Sequence, residues 1–345
     1  MNIYEYIEKY GDKTFKEKEF NDIDNLIFST LSYLDLDDII NEETKTIETV
    51  GKIFLEKYKY KEIISYGIPK KEGLKCLKAI IKTQRYKDIQ ISNYIYIGTE
   101  AEQFCALTFK INKKLIYIAF EGTDHLISGW KEDFQLAYMY PTLSQQHAIE
   151  YLKNNTKILG PRIIVGGHSK GGNLAQISAM ELNFIKKLKI KKIYNNDGPG
   201  LRKKEFTSKK YKHIKNKLIH IIPYNSITGI LLRNDKYKVV GSTKKALLSH
   251  SMSSWIIYDD ELLETDLTEK SKNLEKSIIE WLNNHNDEER KKMIENVFKI
   301  FKKCGIEDTR DLKKIRSIIR IIKEVKNIDE ETKRLVSSFI NYNFF

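Results

Sequence analysis

Two hydrophobic periods succeed one another along this chain, and their order predicts its architecture. Near the N-terminus, Asn21-Asp22-Ile23-Asp24-Asn25-Leu26-Ile27-Phe28 sets a capping residue ahead of apolar positions at helical spacing, so residues 1–90 read as a helical arm. From Tyr94 the pattern shortens to that of strands. Residues 104–111 and 115–120 are rich in β-forming side chains, and Asn112-Lys113-Lys114 between them reads as a hairpin turn that opens a sheet. A helix over 144–159, a short buried strand over 162–165 and a second helix over 172–188 follow. Strands over 192–195 and 218–222 come next, each closed by turn residues, Asn196-Asp197-Gly198-Pro199-Gly200 and Pro223-Tyr224-Asn225-Ser226. This alternation predicts an α/β fold, a mainly parallel sheet flanked by helices, with its core over residues 91–258. Beyond Trp255 the chain turns charged, with Leu274, Ile278 and Trp281, then Ile294, Phe298 and Phe301, at helical spacing. Residues 259–345 therefore read as a helical extension.

Composition narrows the class only a little. With 41% hydrophobic and 31% charged residues the chain has the make-up of a globular protein and is too apolar for wholesale disorder. No window holds the run of about 18 apolar residues that a membrane span needs. Cys76, Cys105 and Cys304 are widely separated and form no Cys-x-x-Cys pair, which excludes a short zinc or redox motif and fits a reducing compartment. The N-terminus lacks the basic start and apolar stretch of a signal peptide, so the expected location is cytoplasmic. The 60 Lys+Arg against 47 Asp+Glu give a net charge of +13. Because lysine is spread throughout and arginine is scarce, this is read as a composition bias rather than a nucleic-acid footprint, with peripheral membrane contact through the basic surface kept open.

The chemistry concentrates in Gly167-His168-Ser169-Lys170-Gly171. A Gly-x-Ser-x-Gly string is weak alone. Here it follows the apolar strand Arg162-Ile163-Ile164-Val165 and leads into a helix with Leu174, Ile177 and Met180 on one face, the strand, sharp turn and helix of a nucleophile elbow. Such an elbow presents Ser169 as a nucleophile, while the helix start aims N–H groups at the same spot, with that of Lys170 as first oxyanion donor. The phosphate-binding alternatives fail, because neither the Walker order nor Gly-x-Gly-x-x-Gly is matched.

Upstream, Tyr117-Ile118-Ala119-Phe120-Glu121-Gly122-Thr123-Asp124 followed by Trp130-Lys131-Glu132-Asp133 resembles the strand and turn of class 3 lipases, α/β-hydrolases with a Phe-Arg-Gly-Thr-like sequence before the elbow. Still closer is the likeness to a bacterial lipase-like (Mbeg-like) family of unknown function, in which Asp-Gly-Pro-Gly follows the elbow and a late His precedes a Trp. The resemblance spans roughly residues 20 to 258 and its motifs match in order. It implies that the Thr123 N–H is the second oxyanion donor and that Asp133 braces the turn. Glu121 departs from the pattern, standing where class 3 lipases have Arg.

A base should follow Ser169, since α/β-hydrolases order their triad as Ser, acid, His. His213, His220, His250 and His285 qualify by order. His213 lies in a basic surface run, His220 inside a strand and His285 at a polar helix end. His250 is preferred, because it sits in a loop-like stretch before Trp255 and the similar family carries its late His there. For the acid, Glu181, Asp197, Glu205 and Asp235 lie between the two. Asp197 is preferred for its place at the carboxyl edge of the sheet. Class 3 lipases have their acid one strand later, where this chain has Asn225-Ser226, so Asp235 or a neutral group remains an alternative for orienting His250. These residues predict a serine hydrolase needing no metal or organic cofactor, and the resemblance implies that it is an esterase acting on a small-molecule or lipid ester. The rival expectations are a binding protein that keeps the fold without catalysis, and a basic membrane- or nucleic-acid-binding protein.

Overall fold

The structure, a computed structural model, describes residues 1–40, 43–58, 67–99, 102–123, 127–308, 311 and 314–344. Its centre is an eight-stranded sheet in which the strands lie side by side in chain order. They are β1 (Lys45–Thr46), β2 (Gln90–Gly98), β3 (Gln103–Asn112), β4 (Leu115–Phe120), β5 (Arg162–His168), β6 (Ile190–Asn196), β7 (Leu218–Pro223) and β8 (Lys238–Val240). Pairings from β1 to β4 are antiparallel and those from β4 to β8 parallel. The expected hairpin is present as β3 and β4, but it does not open the sheet. Two strands precede it, and β1 comes from within the N-terminal arm. Its two residues were too short for a period of two to register.

The strand order decides where the helices go. Right-handed crossovers between parallel strands laid down in sequence put every connecting helix on one face. That face carries Ala106 on β3, Ile116, Ile118 and Phe120 on β4, Ile163 and Val165 on β5 and Ile193 on β6. They pack with Ala148 and Leu152 of the helix Leu143–Asn155 and with Leu174, Ile177 and Met180 of the helix Lys170–Glu181. Alternate residues of the same strands, Leu107, Phe109, Tyr117, Ala119, Ile164 and Tyr194, point the other way. The crossovers leave that face bare, and the N-terminal helices cover it. The helix Asp22–Leu31 is buried from Ile23 through Leu31, lying between the sheet and the helix Ile68–Ile80.

Polar groups fix how the arm sits. Asn25 donates to Asn196 Oδ1 at 2.9 Å and accepts from the Tyr117 hydroxyl at 2.8 Å, while Asn196 Nδ2 donates to the Gly167 carbonyl at 3.0 Å. The arm is thus bonded to the two strands that end at the candidate site. Below it, Arg85 and Asp24 form a fully buried bidentate pair at 2.6 and 2.8 Å, with the Tyr86 hydroxyl donating to the same carboxylate at 2.7 Å. Every donor to this carboxylate is satisfied, which is the condition for tolerating charge away from water.

The strands extend further than their apolar runs, because polar residues such as Asn195, Asn196 and His168 are buried at the carboxyl ends where the site lies. The helix expected over 172–188 begins at Lys170 and breaks after Glu181, with a separate turn at Phe184–Lys187 capped by Asn183. After Trp255 a small hairpin, Ile257–Tyr258 with Glu261–Leu262, precedes the charged helices. Those helices pack through Trp281, Met293, Ile294 and Phe298 against Ile127 and Tyr138.

Candidate functional site

The elbow is built at the end of β5. Ser169 has φ 57° and ψ −128°, in the left-handed region that a side chain adopts only when its surroundings enforce it. The enforcement is close packing on the end of β4. A Cβ on Gly171 would lie 2.2 Å from the Phe120 carbonyl oxygen, and one on Gly167 would lie 2.5 Å from the same atom. Only glycine lets the two turns touch. Ser169 N–H donates to the Asn196 carbonyl at 2.9 Å, fixing the elbow beside the end of β6. The next residue, Lys170, opens the helix Lys170–Glu181, so its N–H is among those left without an intrahelical partner.

The Gly122-Thr123 turn lies against this elbow. A Cβ on Gly122 would stand 3.1 Å from Ser169 Cβ and 2.5 Å from the His168 carbonyl oxygen. Asp124, which follows it, falls outside the described residues. The Lys170 side chain turns away from the site and is buried, its ammonium 2.7 Å from the Gln103 carbonyl and 3.2 Å from Glu132 Oε2. Glu132 accepts two more bonds from Ser144, at its N–H and its hydroxyl, and the Lys170 charge with these donors draws its pKa down against burial. This pair ties the elbow to the helix Ile127–Gln135. Asp133 stands beside the Thr123 hydroxyl, but their buried oxygens Oδ1 and Oγ1 form no well-aligned hydrogen bond. Burial pushes the Asp133 carboxyl up to about 6.

His250 ends a short 3-10 turn, Ala246–His250. Its Nδ1 lies 2.6 Å from Asp197 Oδ2. A carboxylate can only accept, so Nδ1 carries the proton and the Nε2 lone pair is left for another group. Asp197 follows β6 at φ 51°, is 1% exposed, and takes the Ser226 hydroxyl at 2.5 Å and the Gly229 N–H at 3.0 Å on Oδ1. Both carboxylate oxygens are thereby oriented. Ser226 stands just after β7, and its hydroxyl holds the Asp197 carboxylate at the end of the preceding strand. Asp235 is elsewhere, partly exposed and paired with Lys215 at 3.5 Å. The other histidines are also remote in role. His220 is buried in β7 against Tyr237, His285 bonds the Trp281 carbonyl, and His213 caps a surface helix.

His168, within the motif, links the two halves. Its Nε2 donates to the His250 carbonyl at 2.7 Å, so its neutral ring accepts the Tyr33 hydroxyl at Nδ1, 2.8 Å away. The two imidazoles lie 4.3 Å apart between centroids. Burial and the neighbouring His250 hold the His168 pKa well below its ordinary value, which keeps the ring uncharged. Ser169 is thus flanked in the chain by a residue bonded to His250 and bonded in space to the residue before Asp197. Its hydroxyl makes no hydrogen bond to His250 among the described residues, and in unliganded sites such bonds often form only with substrate. Beside His250 a cavity of about 200 Å³ is lined by Thr30, Tyr33 and Pro69 of the arm and by Leu247, Leu248 and Met252. Among the described residues no group of three or more His, Cys, Asp or Glu side chains is arranged to hold a metal ion.

Tyr33 and Glu72 escaped the sequence reading, and so did the bond that Ser226 makes to Asp197. Glu72 is largely buried with its pKa raised by that burial, and it accepts bonds from the hydroxyls of Ser251 and, at 2.7 Å, Ser253, tying the His250 loop to the helix Ile68–Ile80. All three act across long sequence separations, and no local motif marks them.

The mainly parallel sheet, the elbow at the carboxyl end of its fifth strand and the flanking helices define an α/β-hydrolase-type fold. The chain belongs to the Mbeg1-like family, whose profile matches residues 80–299. No curated protein sequence matches it. Among solved structures, the crystal structure of M37 lipase aligns at 17% identity over 59% of this chain and 68% of that one, with a TM-score of 0.35.

Proposed function

We propose that the protein is a serine esterase acting on carboxylic esters of lipid-like character. The observation that carries this reading is the 2.6 Å contact between His250 Nδ1 and the buried Asp197 carboxylate, beside a serine held at a left-handed elbow. In the proposed cycle the Ser169 hydroxyl attacks the ester carbonyl and passes its proton to His250 Nε2. Asp197 keeps the imidazole in the tautomer able to accept that proton and stabilises the imidazolium that forms. The oxyanion is received by the N–H groups of Lys170 and Thr123, at a helix start whose dipole favours negative charge. His250 then protonates the departing alcohol, and water released of a proton by the same imidazole cleaves the acyl-enzyme. The apolar cavity beside His250 supports an ester with an aliphatic acyl or alkyl group. A cytoplasmic setting is supported by three buried free thiols, Cys76, Cys105 and Cys304.

A panel of p-nitrophenyl esters of graded chain length tests the proposal. Turnover that depends on chain length and disappears in Ser169→Ala is expected. A wild type inert across the panel, or a Ser169→Ala variant as active as wild type, contradicts it.

A further inference from the structure

The C-terminal helix Ile315–Val325 shows water a face that a globular surface does not ordinarily keep. Ile315 is 75% exposed and Ile322 56% exposed, and Ile318, Ile319 and Val325 are exposed as well. At about 100° per residue these five fall within an arc of roughly 120°. The helix seats on the protein by a different side, through buried Ser317 and half-buried Ile321 and Glu324, the last paired with Lys303 at 3.1 Å. Along one edge of the apolar arc stand Arg316, Arg320 and Lys323, with Lys326 just beyond the helix. Arg316, Lys323 and Lys326 make no ion pair among the described residues.

We propose that this helix docks in the plane of an anionic lipid bilayer, its five aliphatic side chains entering the acyl boundary and its cations meeting lipid phosphates. The combination of an exposed apolar arc and a basic flank is the pattern of an interfacial helix. A second copy of the chain fits the surface less well, because a two-fold contact brings each patch onto itself and so covers the aliphatic arc while offering the unpaired cations no anionic partner. Nucleic acid would leave the isoleucines in water. The helix lies outside residues 80–299, so the inference is independent of the esterase reading.

Sedimentation of the full chain with phosphatidylcholine vesicles, with and without one part in four phosphatidylglycerol, tests it. The wild type is expected to co-sediment with the anionic vesicles alone, and less so as salt rises. Ile318→Ser with Ile322→Ser should weaken partitioning at least about tenfold, as follows from removing two aliphatic side chains from the interface. Arg316→Gln with Lys323→Gln should weaken it about thirtyfold, since each cation near an anionic surface contributes about 1 kcal/mol. Ile322→Trp keeps the face apolar and should bind, with its added emission shifting to the blue on anionic vesicles. That readout decides the matter even if the serine variant loses helix in circular dichroism. A wild type that stays in the supernatant at low salt, a folded serine variant that binds as wild type does, or an added tryptophan that does not shift overturns the proposal. So does a wild-type dimer dissociated by the serine substitutions without any vesicle binding.

Discussion

Asp197→Asn isolates the role of the acid with little disturbance to the fold. The carboxylate accepts three bonds, from Ser226 and Gly229 on Oδ1 and from His250 on Oδ2. An asparagine that places its carbonyl oxygen where Oδ1 stands keeps the first two. Its amide nitrogen then faces His250 Nδ1, and because it can only donate, it drives the imidazole proton to Nε2. That tautomer cannot accept the Ser169 proton. The corresponding substitution in a serine protease lowers kcat about 10⁴-fold through the wrong tautomer, which is about 5.5 kcal/mol of transition-state free energy. The same change is expected here, with KM altered little, since Asp197 is 1% exposed and lies behind His250. Asp235→Asn should leave kcat within about twofold, as the carboxylate is a partly exposed surface partner of Lys215. Steady-state hydrolysis of the best p-nitrophenyl ester reads both. An Asp197→Asn enzyme within about tenfold of wild type, or an Asp235→Asn enzyme impaired to the same degree, refutes the reasoning.

Three further expectations concern the framework. Arg85→Met strands the Asp24 carboxylate inside the arm and should cost about 3–5 kcal/mol in urea unfolding; a loss below about 1 kcal/mol would mean the pair is dispensable. Burial pushes His220 from 6.5 down to about 4, so between these values the unfolded chain binds more protons than the folded one and stability declines as pH falls. The decline should reach about 2 kcal/mol at pH 5 and vanish in His220→Leu, and an unchanged slope in that variant contradicts the assignment. Gly122→Ala drives a Cβ to 2.1 Å from the Tyr33 hydroxyl and 2.5 Å from the His168 carbonyl, so the turn must move relative to Ser169. Activity should drop about a hundredfold from misplacement on the ångström scale, and near-normal activity would place the turn outside the site.

What the sequence made legible follows physical locality. The elbow could be read because its strand, serine, glycines and helix are consecutive, and the same holds for the β3–β4 hairpin and the Asn21 cap. His250 was preferred on its order, its loop setting and the resemblance rather than on any local chemistry. Asp197 was preferred over Asp235 only on its place at a strand end, and it is the fold that separates the two environments, a buried strand end against an exposed lysine partner. The bond from the Ser226 hydroxyl to the Asp197 carboxylate joins the ends of two strands, a contact that spacing does not reveal. The role of the arm was hidden for a similar reason. That it must cover a bare face follows only from the sequential order of the strands.

The central claim, that Ser169 is an activated nucleophile, is tested most directly by a fluorophosphonate probe followed by peptide mass spectrometry. The account predicts a single adduct on the peptide containing Ser169, absent in Ser169→Ala and strongly reduced in Asp197→Asn. A wild type that remains unlabelled under conditions that label a control lipase, or an adduct that persists in Ser169→Ala, would contradict it.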